Sequence, residues 1–102
     1  MRLVLDTSAA TNIVLQTGQA PALMAILERA DRVIAPSLMH SELGNALWKA
    51  VRFSGLDTAQ AMNHYEDAIA LVDEFILDET VMRLAIRNAV LHAHPVYDMV
   101  FV

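Results

Sequence analysis

The sequence predicts an α/β domain in which a short parallel sheet is flanked by helices. Three short apolar segments, at residues 2–5, 32–35 and 75–77, alternate with longer segments whose apolar residues recur with helical spacing. Strands that alternate with helices form βαβ units, and these units place their strands parallel in one sheet. The chain has 102 residues, which is sufficient for one domain of this kind.

Cap and proline signals set the boundaries of the predicted helices. The first strand runs into Asp6, Thr7 and Ser8, a run that is typical of a strand end followed by a helix N-cap. Further along the chain, Asp57 or Thr58 is expected to cap a helix in the same way. The predicted helices cover residues 20–30, 36–53, 59–72 and 78–93, and a last helix begins at residue 95.

The composition predicts a soluble, cytoplasmic protein. The chain contains no cysteine, which excludes a disulfide framework and thiolate metal sites and fits a reducing compartment. No apolar segment approaches the roughly 20 residues that a membrane helix needs, so we expect no membrane partner. The charge at residue 6 leaves no room for the apolar region of a signal peptide. The hydrophobic fraction is 56%, and we expect a partner to cover part of the apolar surface.

The net charge of −5 argues against a protein that coats nucleic acid, because such proteins are usually basic. It does not exclude a nuclease, since a carboxylate cluster that binds divalent cations is itself acidic and the bound ions attract phosphate. Most of the 12 acidic residues lie near helix ends or on polar helix faces and are assigned to solvent or, like Asp57 and Asp78, to caps. Asp6, Glu42 and Asp98 need separate consideration.

Asp6 follows the first strand directly, and two interpretations are open. It either caps the next helix or points into the crevice beyond the carboxyl ends of the strands, where open parallel sheets bind ligands. Thr7 and Ser8 are able to take over the capping. On a helical wheel, Glu42 falls beside Asn45 and Lys49 at the border of the apolar face, and this position alone favours an ordinary solvated side chain.

Asp98 lies in the apolar run "HPVYDMVFV" and is expected to be at least half surrounded by core. An unpaired buried charge costs several kcal/mol, a cost that a metal ion or a cationic partner would remove. The alternative is an acid in the first turn of a helix, stabilised by the macrodipole by only ~0.3–1 kcal/mol. The positions of the four histidines do not match a zinc site, and neither a phosphate-binding glycine loop nor a hydrolase elbow is present. An all-oxygen carboxylate site remains, which suits Mg²⁺ or Mn²⁺.

Three segments resemble the PIN-domain ribonucleases, and within them the VapC-type toxins of bacterial toxin–antitoxin pairs. The segments are "LVLDTSAATNIVL" at the start, "APSLMHSELGNALWKA" after the second strand and "HPVYDMVFV" near the end. Their order and the linking helices match the family over the whole chain. The resemblance implies a PIN-like three-layer fold, with a short parallel sheet flanked by helices.

The resemblance also implies a function and its residues. Asp6, Glu42 and Asp98 would be the catalytic residues and would hold one or two Mg²⁺ or Mn²⁺ ions, with Ser8 as an accessory polar group. The activity would be endonucleolytic cleavage of RNA, and a VapB-type antitoxin would be the protein partner. From the helical face that they share with Glu42, Lys49 and Arg52 are predicted to form a positive rim for the RNA phosphates.

The C-terminus departs from the family pattern, which continues into a fourth strand that carries a further acid. The resemblance implies strand order 3-2-1-4-5, so residues 1–102 would form a single PIN-like domain that is C-terminally incomplete and lacks the family's C-terminal strands. We therefore expect the first strand to be an open edge, and either a homodimer or a partner protein to cover it. Weak or absent nuclease activity would follow. The alternative function is a truncated, catalytically impaired module that acts through dimerisation or antitoxin binding.

Overall fold

A four-stranded sheet runs through the molecule. The computed structural model describes residues 1–77, 79–80, 82–83, 86–87 and 100–101. The strands are β1 (Arg2–Val4), β2 (Arg32–Pro36), β3 (Glu74–Ile76) and β4 (Val100–Phe101). Their order across the sheet is β3-β2-β1-β4, and β1, β2 and β3 run parallel to one another. This arrangement confirms the predicted α/β class with a short parallel sheet, whereas the PIN-like identity of the fold stays a prediction.

Helices connect the parallel strands. Those that are complete within the described residues are α1 (Thr7–Val14), α2 (Ala20–Arg29), α3 (Met39–Ser54) and α4 (Thr58–Ala70). Residues 79–80, 82–83 and 86–87 are also helical, in agreement with the helix predicted over 78–93. None of the helices in the described part of the chain is long and apolar enough to cross a membrane.

Local sequence explains several of the helix ends. Asp57 caps α4 by accepting a hydrogen bond from the Gln60 amide, and the Gln60 side chain accepts one from the Asp57 amide. This reciprocal pair is a capping box, and it confirms one of the two caps that the sequence offered. Pro21 lies in the first turn of α2, where its missing N–H costs nothing. Gly55 ends α3 in the left-handed conformation, at a φ of 76°.

The core lies between the sheet and the helices that pack on it. The fully buried large side chains are Leu3 and Leu5 from the first strand and its end, and Met39 and Leu43 from α3. Val4 and Ile34 are also buried, so consecutive residues of β1 and β2 are covered on both faces of the sheet. Central parallel strands require this double cover, which explains why their sequences read as continuous apolar runs.

The position of β4 corrects two predictions about the C-terminal segment. Val100 pairs with Val4 and Phe101 pairs with Leu3, both in antiparallel register. The first strand is therefore not the open edge that we expected, and the helix predicted from residue 95 does not include Val100 and Phe101. The physical reason is that the edge of β1 offers unpaired backbone groups, and a β-branched residue followed by an aromatic one readily forms the strand that satisfies them.

Charged contacts close the amino end of the sheet. Arg32 donates a hydrogen bond to Glu74 at 2.8 Å, and this carboxylate raises the pKa of the guanidinium. The Met1 ammonium donates to Asp31 and lowers the pKa of that carboxyl through the hydrogen bond and its charge. Asp73 accepts a hydrogen bond from the Val33 amide at 2.6 Å. The acids at this end are therefore engaged in structural contacts.

Candidate metal and substrate site

The three parallel strands have their carboxyl ends at the same end of the sheet. The Leu5 amide donates to the Ile34 carbonyl at 2.8 Å, and the Ser37 amide donates to the Ile76 carbonyl at 2.9 Å. These bonds continue the two ladders one residue beyond the strands. Residues that follow β1 and β2 therefore lie side by side at the carboxyl end of the sheet, which is where parallel sheets bind ligands.

Asp6 lies at this carboxyl end of the sheet, as the N-cap of α1. Its Oδ1 atom accepts a hydrogen bond from the Ala9 amide at 2.7 Å, and the residue is half-buried. We expected Thr7 or Ser8 to be able to do the capping instead, but the structure assigns the cap to Asp6 itself. An ionised carboxylate has about four acceptor positions, so the capping hydrogen bond is compatible with a role in binding a metal ion.

Glu42, in the first turn of α3, also lies at the carboxyl end of the sheet. Its Oε1 atom accepts a hydrogen bond from the Thr7 hydroxyl at 2.8 Å, across 35 positions of sequence. Thr7 is the residue after Asp6, so Asp6 and Glu42, two of the three predicted acids, both lie at the carboxyl end of the sheet. The third, Asp98, lies outside the described residues.

A polar groove lies between α1 and α3, and Glu42 is one of its lining residues whereas Asp6 is not. Its volume is about 510 Å³, and its lining residues are Thr7, Ser8, Thr11, Asn12, Glu42, Asn45, Ala46 and Lys49. On each helix, every lining residue has another lining residue three or four positions away. Residues at this spacing lie on the same face of a helix, here the face towards the groove. The helical wheel correctly grouped Glu42 with Asn45 and Lys49. Ser8, the predicted accessory residue, also lines the groove and is exposed.

Sequence reasoning missed Thr11 and Asn12 as members of this groove. They repeat Thr7 and Ser8 one helical turn later, so the pattern of polar pairs in "TSAATN" was the signal that could have found them. Arg52, which was grouped with Lys49, is placed differently. Its guanidinium lies 5.9 Å from the Trp48 ring centroid and 5.3 Å from the Phe53 ring centroid, and Arg52 is not among the lining residues.

A second groove, which is apolar, lies between α3 and α4. Its volume is about 280 Å³, and it is lined by Gly44, Leu47, Trp48, Val51, Thr58, Ala61, Met62 and Tyr65. Trp48 and Met62 are 56% and 58% exposed, so a large part of their apolar surface faces solvent. We expected apolar surface that a partner covers, and this groove is a place where such surface occurs.

The chemistry of the described residues fits a hard divalent cation. Within the described ranges, no three His, Cys, Asp or Glu side chains form a group that could hold a metal ion. Mg²⁺ commonly binds through one or two carboxylates together with water and substrate phosphates, so Asp6 and Glu42 are compatible with it as a pair.

His40 packs on Phe75 with 4.2 Å between ring centroids, and its Nδ1 lies 2.9 Å from the Ser37 carbonyl. These contacts give His40 a structural role.

No protein-family model matches the sequence, and no curated protein matches it significantly. The functional assignment therefore depends on the residues of the site and on their positions in the fold.

Proposed function

We propose that this chain is a metal-dependent endoribonuclease similar to the PIN-domain toxins of the VapC type. In this proposal Asp6, Glu42 and Asp98 hold Mg²⁺ or Mn²⁺ at the carboxyl end of the sheet. The observation that carries the proposal is the hydrogen bond between Thr7 and Glu42, because it brings an acid of α3 next to the residue that follows Asp6. A pair of acids at the carboxyl end of the strands is the arrangement expected for a cation site in an open parallel sheet.

The residues present would divide the work as follows. Asp6 is fixed at the start of α1 by its cap, and Glu42 is held by Thr7, so the two carboxylates are oriented before any ligand arrives. When bound, the ion would activate a water and stabilise the leaving oxygen in phosphodiester cleavage. Lys49, two turns along the groove, would attract the RNA phosphate, which matters in a chain whose net charge is −5. Arg52 stays a predicted RNA contact.

Cleavage of a labelled RNA in the presence of Mn²⁺ tests the proposal. Asp6→Asn retains an oxygen that can cap α1, and Glu42→Gln retains an acceptor for Thr7, so both variants keep the fold while losing a charged ligand. Because removal of a group that merely orients a metal ligand already costs about 10–100-fold, we expect each variant to lose at least that much activity. Asp67→Asn and Glu66→Gln, which change exposed acids on α4, are the matched controls and should cleave like the wild type.

Calorimetry with Mn²⁺ separates binding from catalysis. Binding that weakens in Asp6→Asn and Glu42→Gln but not in the two controls would agree with the assignment. Equal Mn²⁺ affinity in all five proteins, or cleavage that survives in the Asp6 and Glu42 variants, would contradict it.

The second candidate function is a non-catalytic module that acts through dimerisation or through a VapB-type antitoxin. The apolar groove between α3 and α4 favours this candidate, because exposed apolar patches mark contact sites for other proteins. Light scattering at low micromolar concentration tests the homodimer. A dimer that dissociates on Trp48→Ser, in a protein without Mn²⁺-dependent cleavage, would favour the module. A monomer that cleaves RNA would favour the enzyme.

A further inference from the structure

We propose that the polar groove between α1 and α3 binds one unpaired base of single-stranded RNA, and that Asn45 is the residue that discriminates between bases. The inference rests on the proposed function, since it concerns the RNA that the same site would cleave. It adds a specificity-determining residue, which the metal ligands by themselves do not supply.

The lining of the groove is mostly neutral. Lys49 is the cation among the lining residues and Glu42 is the anion, and hydroxyl and amide groups make up the other polar side chains. Surfaces that bind several phosphates use several lysines and arginines. One cation is sufficient for a single phosphate, so the neutral groups are available for hydrogen bonds to another part of the substrate.

The hydroxyl groups on α1 are partly committed within the protein. Thr7 donates its hydroxyl hydrogen to Glu42, and Thr11 donates to the Thr7 carbonyl at 2.8 Å. Both hydroxyls therefore present acceptor lone pairs to a ligand. These fixed contacts make α1 a rigid wall of the groove.

Asn12 has a defined orientation. The Thr17 hydroxyl donates to the Asn12 Oδ1 atom at 2.9 Å, and Asn12 is half-buried. This bond fixes the direction of the amide group and leaves its NH₂ as the donor for a ligand. Asn12 therefore presents one defined donor to the groove.

Asn45 is the group best suited to distinguish one base from another. It is exposed, and its side chain makes no hydrogen bond to any residue that the structure describes. An amide side chain offers a donor and an acceptor at once, and such a group forms bidentate pairs with the edge of a base. Because the Asn12 Oδ1 atom already accepts a hydrogen bond from Thr17 and is fixed by it, Asn45 is the lining amide whose donor and acceptor are both fully available.

The position of Asn45 orders the substrate along α3. Glu42 lies one turn before it and Lys49 one turn after it, and the seven-residue separation of these two spans about 10 Å of helix. A base that pairs with Asn45 would therefore lie between the metal ligands and the cation that receives phosphate. The groove volume of about 510 Å³ is within the roughly 300–1,000 Å³ of small-ligand sites.

An unpaired base fits these features better than a duplex does. Proteins that read RNA sequence act mainly on single-stranded segments, whose bases can turn out and expose their hydrogen-bonding edges. A base inside a duplex presents no free Watson–Crick edge to a groove between two helices. The role of Asn45 is therefore tested with single-stranded probes.

Fluorescence anisotropy with labelled RNA measures this discrimination without cleavage. The probes are four RNA hexamers in which one central position carries A, C, G or U and the flanking positions are abasic, in buffer with EDTA. We expect the wild type to bind one probe at least about fivefold more tightly than the weakest. Asn45→Ala should bind all four equally. Asn63→Ala, which removes an exposed amide on α4, should keep the preference and is the matched control.

Lys49→Ala completes the experiment. It should weaken the binding of all four probes to a similar extent and reduce the dependence of affinity on salt concentration. Circular dichroism of each variant verifies the fold. Equal binding of the four probes by the wild type, no binding of any probe, or a preference that survives in Asn45→Ala would overturn the proposal.

Cleavage of the same probes with Mn²⁺ distinguishes failure of this inference from failure of the proposed function. A base preference that depends on Asn45, without cleavage, would contradict the nuclease and leave the groove assignment in place. Cleavage at equal rates for all four probes would support the nuclease and contradict the groove assignment.

Discussion

At the scale of single residues, Thr7 connects the two acids that the structure brings together. It follows Asp6 directly and donates its hydroxyl to Glu42 at 2.8 Å. The sequence predicted that Asp6 lies at a strand end and Glu42 in the helix after the second strand. It could not predict the hydrogen bond, because this bond depends on how closely α1 packs against α3. The helical wheel of α3 favoured a solvated Glu42, and the residue is indeed exposed in the structure, although it also accepts the hydrogen bond from Thr7.

Thr7→Val tests this role, because valine keeps the shape of threonine and removes the hydroxyl. We expect Mn²⁺ affinity and RNA cleavage to fall by about 10–100-fold, the usual cost of losing a group that orients a metal ligand. The free energy of unfolding should fall by no more than about 1.5 kcal/mol, the upper value for one hydrogen bond. Calorimetry and urea denaturation measure the two effects.

Thr58→Val is the control for this variant. Thr58 is an exposed threonine in the first turn of α4 and does not line the polar groove. It should leave Mn²⁺ affinity unchanged. Equal affinities in Thr7→Val and the wild type would show that Thr7 does not orient Glu42.

At the scale of secondary structure, α3 forms one wall of the polar groove, and the sequence predicted this helix well except at its start. The prediction began the helix at residue 36, whereas the helix begins at Met39. Pro36 pairs with Ile76 in the sheet, and Ser37 donates both its amide and its hydroxyl to the Ile76 carbonyl. These tertiary contacts hold both residues out of the helix, and the local sequence does not reveal them.

The short β4 has the same kind of explanation. The run at residues 94–102 is apolar throughout most of its length, so its periodicity does not distinguish a helix from a strand. Its last part forms a strand because β1 provides a partner, as the pairing of Val100 with Val4 demonstrates. The sequence of this segment alone therefore does not indicate whether it forms a helix or a strand.

Two glycines, one inside α3 and one at its C-cap, are expected to respond oppositely to alanine. Gly55 has a φ of 76°, a conformation that alanine adopts only with strain. Gly55→Ala should therefore destabilise the protein by about 1 kcal/mol. Gly44 lies inside the helix, and a methyl group added there would meet no atom within 4 Å, so Gly44→Ala should stabilise the protein by about 0.5–1 kcal/mol. Urea denaturation of both variants measures the signs, and equal signs would contradict this account of how α3 ends.

At the scale of the whole molecule, the two ends of the sheet have different roles. At the amino end, Glu74 forms an ion pair with Arg32, and Asp73 accepts a hydrogen bond from the Val33 amide. At the carboxyl end, Asp6 caps α1 and Glu42 lines a groove of polar side chains. The fold thus provides a rigid platform at one end and binding groups at the other, in accordance with the general behaviour of open parallel sheets.

The core should determine global stability, and exposed apolar residues should contribute little. Leu43 is fully buried, and Leu43→Ala should lower the free energy of unfolding by about 2–5 kcal/mol through lost contacts and a cavity. Phe53 is 72% exposed, and Phe53→Ala should change it by about 0.5 kcal/mol or less. Urea denaturation compares the two. A similar loss in both variants would indicate that the face around Phe53 is buried in solution, as a homodimer would require.

The central claim is that a divalent cation binds at the carboxyl end of the sheet, and NMR of the ¹⁵N-labelled protein with substoichiometric Mn²⁺ tests it most directly. Paramagnetic broadening falls steeply with distance, and the first and last of the five residues of β2 lie about 13 Å apart. We expect the amide signals of Thr7, Glu42 and Asp98 to broaden first, while those of Asp31 and Asp73 keep their intensity. The double variant Asp6→Asn, Glu42→Gln should lose this selectivity. Broadening that begins at the amino end, or that is uniform over the chain, would contradict the account.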